Sequence, residues 1–173
     1  MATKKTAMFT LTERITISAG ATDTFATIDL GSYVDVGDRQ ALQVHSVDYI
    51  FQGTTANADF VSDLGNGNEL HVQCTDLNRG GLVFANDRAL VSSASIRADA
   101  NGALDRVADL YPDNYGKGSD DGRFVVNDAL YLTAHATGLI GALNATVRVN
   151  ASIVTLSNKD FMAIAIQSTA ADN

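Results

Sequence analysis

The sequence predicts an all-β fold, an antiparallel sandwich with a short C-terminal helix, on three observations. From Leu143 to Leu156, the residues Leu143, Ala145, Val147, Val149, Ala151 and Ile153 alternate with Asn144, Thr146, Arg148, Asn150 and Ser152. Alternation sustained that long belongs to one strand with a buried face and a wet face. Upstream, Phe124, Val126, Leu130, Leu132 and Ala134 share one parity, while Asn127, Tyr131, Thr133 and His135 share the other. Finally, the extended runs follow one another without the intervening helices that a parallel sheet would need.

The elements follow in order. Phe9, Leu11, Ile15 and Ile17 alternate with Thr10, Thr12, Arg14 and Thr16, a first strand that ends at Ser18-Ala19-Gly20. Glu13 breaks the apolar parity and places this strand near an edge, where an inward charge discourages pairing with a foreign sheet. A second strand spans Thr24 to Leu30 and a third spans Ala41 to Gln52. In the third the apolar parity shifts from Leu42 and Val44 to Val47, Tyr49 and Phe51. Either a bulge residue is inserted near His45 and Ser46, or the strand is central and buried on both faces. Gly53 to Asn68 is a polar excursion closing on Gly65-Asn66-Gly67-Asn68, and Leu70, Val72 and Cys74 then alternate with His71 and Gln73. Gly80-Gly81 introduces Leu82, Val83 and Phe84, and Asn86-Asp87 turns the chain toward Leu90, Ala94 and Ile96.

Residues 98–122 are the longest stretch without strand periodicity and are expected as an exposed contact loop, in which Ala103 to Leu110 can form a short helix through Leu104, Val107 and Leu110. The runs on either side of Gly138 to Gly141 read as a long hairpin. The last element, 158–167, follows Ser157 with Asp160 three residues on, the pattern of a helix cap. Its apolar residues Phe161, Met162, Ile164 and Ile166 occupy nearly all faces. Such a helix caps the sandwich or docks on a neighbouring subunit.

With 173 residues, 46% of them apolar and 18% charged, the chain is expected to be one domain, 1–173, with residues 1–5 as a flexible arm. No apolar stretch is long enough to cross a bilayer, and the N-terminus lacks the apolar core of a secretory signal, so synthesis in the cytosol is expected. The net charge of −8, with Lys4-Lys5 as the sole adjacent basic pair, disfavours direct nucleic-acid binding. The single cysteine, Cys74, lies on the apolar parity of its strand and reads as a small core residue.

Catalytic and metal motifs are tested and rejected. His45, His71 and His135 are far apart in sequence and form no ligand pair at metal spacing. The stretch Asp113 to Gly118 begins like a calcium loop, but Tyr115 and Lys117 stand where oxygen ligands are needed; Asp113, Asp120 and Asp121 remain the residues for an adventitious cation site. No nucleophile elbow or phosphate-binding loop is present, so no catalytic residue, cofactor or metal is nominated. Asn144-Ala145-Thr146 and Asn150-Ala151-Ser152 match the glycosylation triplet inside a strand, as chance allows.

A jelly roll is the sandwich that fits eight or so strands with one long loop before the last two. In its strand plan over roughly residues 6–157, in Phe124-Val125-Val126-Asn127-Asp128-Ala129-Leu130-Tyr131-Leu132, and in Leu156-Ser157-Asn158-Lys159-Asp160-Phe161, the chain resembles the small single jelly-roll coat proteins of icosahedral viruses. That resemblance implies a virion shell subunit that forms capsomers, with itself and other shell proteins as partners. The basic arm of many such proteins is missing, which fits a shell separated from its genome by a membrane or another protein layer. Candidate subunit contacts are Phe161, Met162, Ile164 and Ile166 of the terminal helix and Tyr111 and Tyr115 of the loop. The alternative is a carbohydrate- or receptor-binding sandwich using Tyr33, Tyr111 and Tyr115 as stacking surface. An enzyme of cupin type would need a histidine-carboxylate metal cluster that the spacing does not supply.

Overall fold

The computed structural model describes residues 2–55, 60–111, 115 and 122–169, without the side chains of 105–111 and 167–169. In chain order the elements are β1 (Thr3–Lys4), β2 (Phe9–Ile17), β3 (Asp23–Asp29), β4 (Gln40–Gln52), α1 (Phe60–Leu64), β5 (Glu69–Thr75), β6 (Leu90–Ala98), β7 (Leu104–Tyr111), β8 (Arg123–Val125), β9 (Ala129–Ala136), β10 (Leu143–Thr155) and α2 (Asn158–Thr169). All strand pairs among the described residues are antiparallel. One sheet runs β10-β4-β8 with β1 and β2 on the far edge of β10; the other runs β3-β9-β5-β6-β7.

Setting aside the accessory strands β1 and β7, eight strands pair first with last (β2 with β10), second with seventh (β3 with β9), third with sixth (β4 with β8) and fourth with fifth (β5 with β6). That nested order is one long hairpin wound around itself, and winding it adds the contacts β10–β4 and β9–β5. The fold is a jelly-roll sandwich.

The inner faces meet as the alternation requires. Leu11, Ile15 and Ile17 of β2 and Ala145, Val147 and Val149 of β10 face Leu70, Val72 and Cys74 of β5, Ile96 of β6, and Leu130, Leu132 and Ala134 of β9 in one buried core. Tyr49 on β4 reaches across it to a hydrogen bond with Ser92 Oγ on β6 (2.6 Å), which satisfies the buried Ser92 hydroxyl. The β4 bulge is present. Ser46 lies opposite Asn150 and Val44 opposite Ala151, so His45 is the extra residue. On the outer face, Asn150 accepts from Thr10 Oγ1 (2.7 Å) and donates to Ser46 Oγ (2.9 Å), and Asn144 accepts from Thr16 Oγ1 (2.7 Å) and donates to the Gly53 carbonyl (2.8 Å). The two asparagines of the glycosylation triplets thus tie β2 and β4 to β10.

Four expectations are corrected. The runs flanking Gly138 are not a hairpin, because β9 and β10 lie in different sheets. The connection crosses the end of the sandwich, held where Leu139 O accepts from Gly20 N (3.1 Å) and where Ile140 N and Gly141 N donate to Asp63 O (3.0 and 2.9 Å). A Cβ on Gly141 would run into the Asp63 side chain, so glycine fits that close approach. Next, Leu104–Tyr111 is strand β7, not helix or loop; its apolar spacing alone fits a helix, and the edge of β6 supplies backbone partners that favour the strand. Residues 3–4 of the expected flexible arm form β1 against Val154 and Thr155. Lastly, the polar excursion contains α1, which buries Leu64 and packs Phe60 and Val61 on the core.

Leu132 is fully buried where β9 meets β5 opposite Cys74. Truncation by Leu132→Ala is expected to lower the unfolding free energy by about 2–5 kcal/mol in urea denaturation, through lost burial and an unfilled cavity. A loss below about 1 kcal/mol would contradict this packing.

Candidate assembly surface

The terminal helix is fixed by its first turn. Ser157 Oγ accepts from Asp160 N (3.2 Å) and donates to Asp160 Oδ2 (2.8 Å), and this bond holds the Asp160 carboxyl below the usual range. Just before the cap, Leu156 N donates to Arg39 O (3.0 Å) and Arg39 Nη1 donates to Asn158 Oδ1 (2.6 Å). Phe161, Ile164 and Ala165, at helical spacing, pack on a second buried cluster of Ala41, Val126, Val154 and Leu156, joined by Ala2 and Phe124. The opposite face carries Met162 and Ile166, 57% and 61% exposed and one turn apart. The four helix residues named from sequence therefore divide: two clamp α2 to its own sheet and two point outward.

The two tyrosines named with them lie elsewhere. Tyr111 ends β7 opposite Ser93. Tyr115 packs on the main core, its N–H donating to His45 O (2.9 Å) and its hydroxyl donating to Val91 O, so both polar groups are spent inside the molecule. Tyr33 stacks on Phe9 with ring centroids 5.6 Å apart and is 47% exposed. Asp113, Asp120 and Asp121 lie outside the described residues.

The reactive side-chain types are placed as follows. Cys74 is fully buried, and desolvation pushes its thiol up to about 12, which leaves negligible thiolate at neutral pH. Ser152 Oγ donates to Gln43 Oε1 (3.3 Å) and lies 3.0 Å from His45 Nε2. This serine-histidine contact is sealed, with Ser152 and Gln43 at most 2% exposed, and serves to satisfy buried polar groups. Among the described residues no group of three or more His, Cys, Asp or Glu is placed to hold a metal ion, and no helix is long and apolar enough to cross a membrane.

Sequence reasoning missed Asp76, which looks like any acid in a polar turn after a strand. It is 1% exposed. Its backbone bonds to Ala89 O (2.9 Å) and to Asn127 Nδ2 (2.6 Å), and its Oδ2 accepts from Arg123 Nη2 (3.1 Å), which also donates to Arg88 O. Its Oδ1 is buried without a hydrogen-bond partner among the described residues. Burial raises the Asp76 pKa and the nearby Arg123 only partly offsets it.

No family model matches the sequence, and no curated protein matches it. Solved structures do match in shape. The chain is similar to VP1 of Trichodysplasia spinulosa-associated polyomavirus in complex with 3'-sialyllactose (TM-score 0.46, 10% identity, 90% of this chain and 97% of that one). It is also similar to the unassembled VP1 pentamer of Merkel cell polyomavirus (0.44, 8%, 90% and 98%) and to the VP1 pentamer of human polyomavirus 6 (0.40, 8%, 87% and 95%). At this identity the likeness concerns the fold alone.

A raised carboxyl pKa means that the folded chain holds the Asp76 proton more tightly than the unfolded chain does. The residue therefore costs stability as pH rises from about 4 through its folded pKa. Asp76→Asn should be close to the parent at pH 4 and more stable by about 1 kcal/mol at pH 7 in urea titrations. Lower stability of the variant at pH 7 would mean that the Arg123 pair outweighs burial.

Proposed function

We propose that the chain is a self-associating structural subunit, a virion capsid protein, and that the outward face of α2 takes part in contacts between copies. The observation that carries this reading is the pair Met162 and Ile166, held outward on a helix whose other face is locked to the sheet by Phe161 and Ile164. Large apolar side chains displayed on a fixed surface favour association, since full burial of each contributes on the order of 1.5–3 kcal/mol. Phe25 on β3 and Phe84 and Ile140 in connections are also more than half exposed. Apolar anchors on several sides suit heterologous contacts, which form rings where the rotation between copies closes. With a net charge of −8 the copies repel one another, so association should strengthen with salt as the repulsion is screened.

Light scattering coupled to size exclusion, followed by negative-stain electron microscopy, tests this. The expected result is a discrete multimer or particle that grows with salt and that the double change Met162→Asp and Ile166→Asp reduces to smaller species. A monomer at high concentration across salt and pH would sink the proposal. The Phe9–Tyr33 stack is the feature that favours the second reading, a glycan-binding sandwich. A glycan array on which the parent binds and Tyr33→Ala does not would select it.

A further inference from the structure

The register of β5 against β9 places His71 directly opposite His135, although 64 positions separate them in sequence. Their strand neighbours Leu70, Val72, Ala134 and Ala136 are buried in the core, so both imidazoles stand on the outer face of the sheet, with side chains 26% and 37% exposed. On β3 the residue opposite His135 is Asp23, and its Oδ1 lies 2.8 Å from His135 Nδ1. Two residues before His71, Glu69 Oε1 lies 3.3 Å from His71 Nε2.

Each ring thus has one nitrogen backed by a carboxylate and the other, His135 Nε2 or His71 Nδ1, turned away from that carboxylate. We propose that His71 and His135 form a two-imidazole site for a divalent transition metal such as zinc, nickel or copper. Directly opposed residues of an antiparallel pair have Cβ atoms about 4.5–5.5 Å apart, a separation that two imidazoles can span to one ion with metal–nitrogen bonds of about 2.0–2.1 Å. A carboxylate behind each ring fixes the tautomer and the orientation of the ligating nitrogen, as in established metal sites. Imidazole selects these metals over calcium and magnesium, which take oxygen ligands. The remaining ligands are water, because no third His, Cys, Asp or Glu among the described residues converges with the pair.

The electrostatic setting is mixed. Asp23 and Glu69 are the facing anions. On β6, Arg97 stands opposite Glu69 and Ser95 opposite His71.

The test is calorimetric titration of the full chain, free of any affinity tag, with zinc chloride at pH 7.5. The expected result is one zinc per chain, and at least tenfold weaker binding in His71→Ala and in His135→Ala alike. Calcium chloride should give no binding. Should either variant fail to fold, copper(II) electron paramagnetic resonance of the parent should show two coordinated nitrogens. No zinc binding up to 1 mM, an unchanged affinity in either single variant, or a copper spectrum without two nitrogens would overturn the proposal.

Discussion

Backbone hydrogen bonding along both edges of β10 is the constraint on which the first sheet depends. Its thirteen residues pair with β2 over Leu143 to Ala151 on one side and with β4 over Asn144 to Thr155 on the other, and its far end also takes β1. Among the described residues β2 has no other sheet partner, so the first long strand is attached to its sheet only through the last. The side chains repeat the arrangement. Val147 and Val149 close the core, while Asn144 and Asn150 bridge outward to β2 and β4. Contacts this distant in sequence are expensive in loop entropy until all of them form together, so the two sheets are expected to fold cooperatively and slowly.

Filling the space between the sheets with leucine, β-branched and small side chains leaves the exposed chemically distinctive groups on the outer faces and the ends. Over the first sheet, α2 covers Ala41 and Val154 and leaves Met162 and Ile166 outward. Over the second, Gln73 binds the backbone of Val83 through both ends of its amide (2.9 and 2.8 Å), and the row Asp23, His135, His71 lies on the same face. At one end Asp76 and Arg123 join the connection after β5 to β8, at a desolvation cost that packing elsewhere offsets. Assembly and ion binding would thus use separate surfaces of one rigid scaffold.

Much of this was legible because period-two alternation reports directly on which face is buried. It located β2, β3, β4, β5 and β10 within a residue or so, and the parity shift at His45 marked the bulge. The Glu13 signal was also sound, since β2 is an edge strand. Alternation reports parity and says nothing of partners. Adjacency in sequence therefore suggested a hairpin across Gly138, whereas the strands part into two sheets. The spacing of Leu104, Val107 and Leu110 fits a helix until the edge of β6 is there to pair with it. The same blindness hid the opposed histidines and the burial of Asp76, both of which are properties of tertiary register. Ser157 and Asp160, by contrast, announced α2 locally, because a cap is made within four residues.

The central claim is that β10 lies between β2 and β4 while β9 lies in the other sheet. Interstrand nuclear Overhauser effects on isotope-labelled protein test it most directly. The account predicts backbone contacts from Val147 to both Glu13 and Tyr49, and from Leu132 to both Ala26 and Cys74. A ladder of contacts running between 129–136 and 143–150, as in a hairpin closed at Gly138 to Gly141, would contradict it.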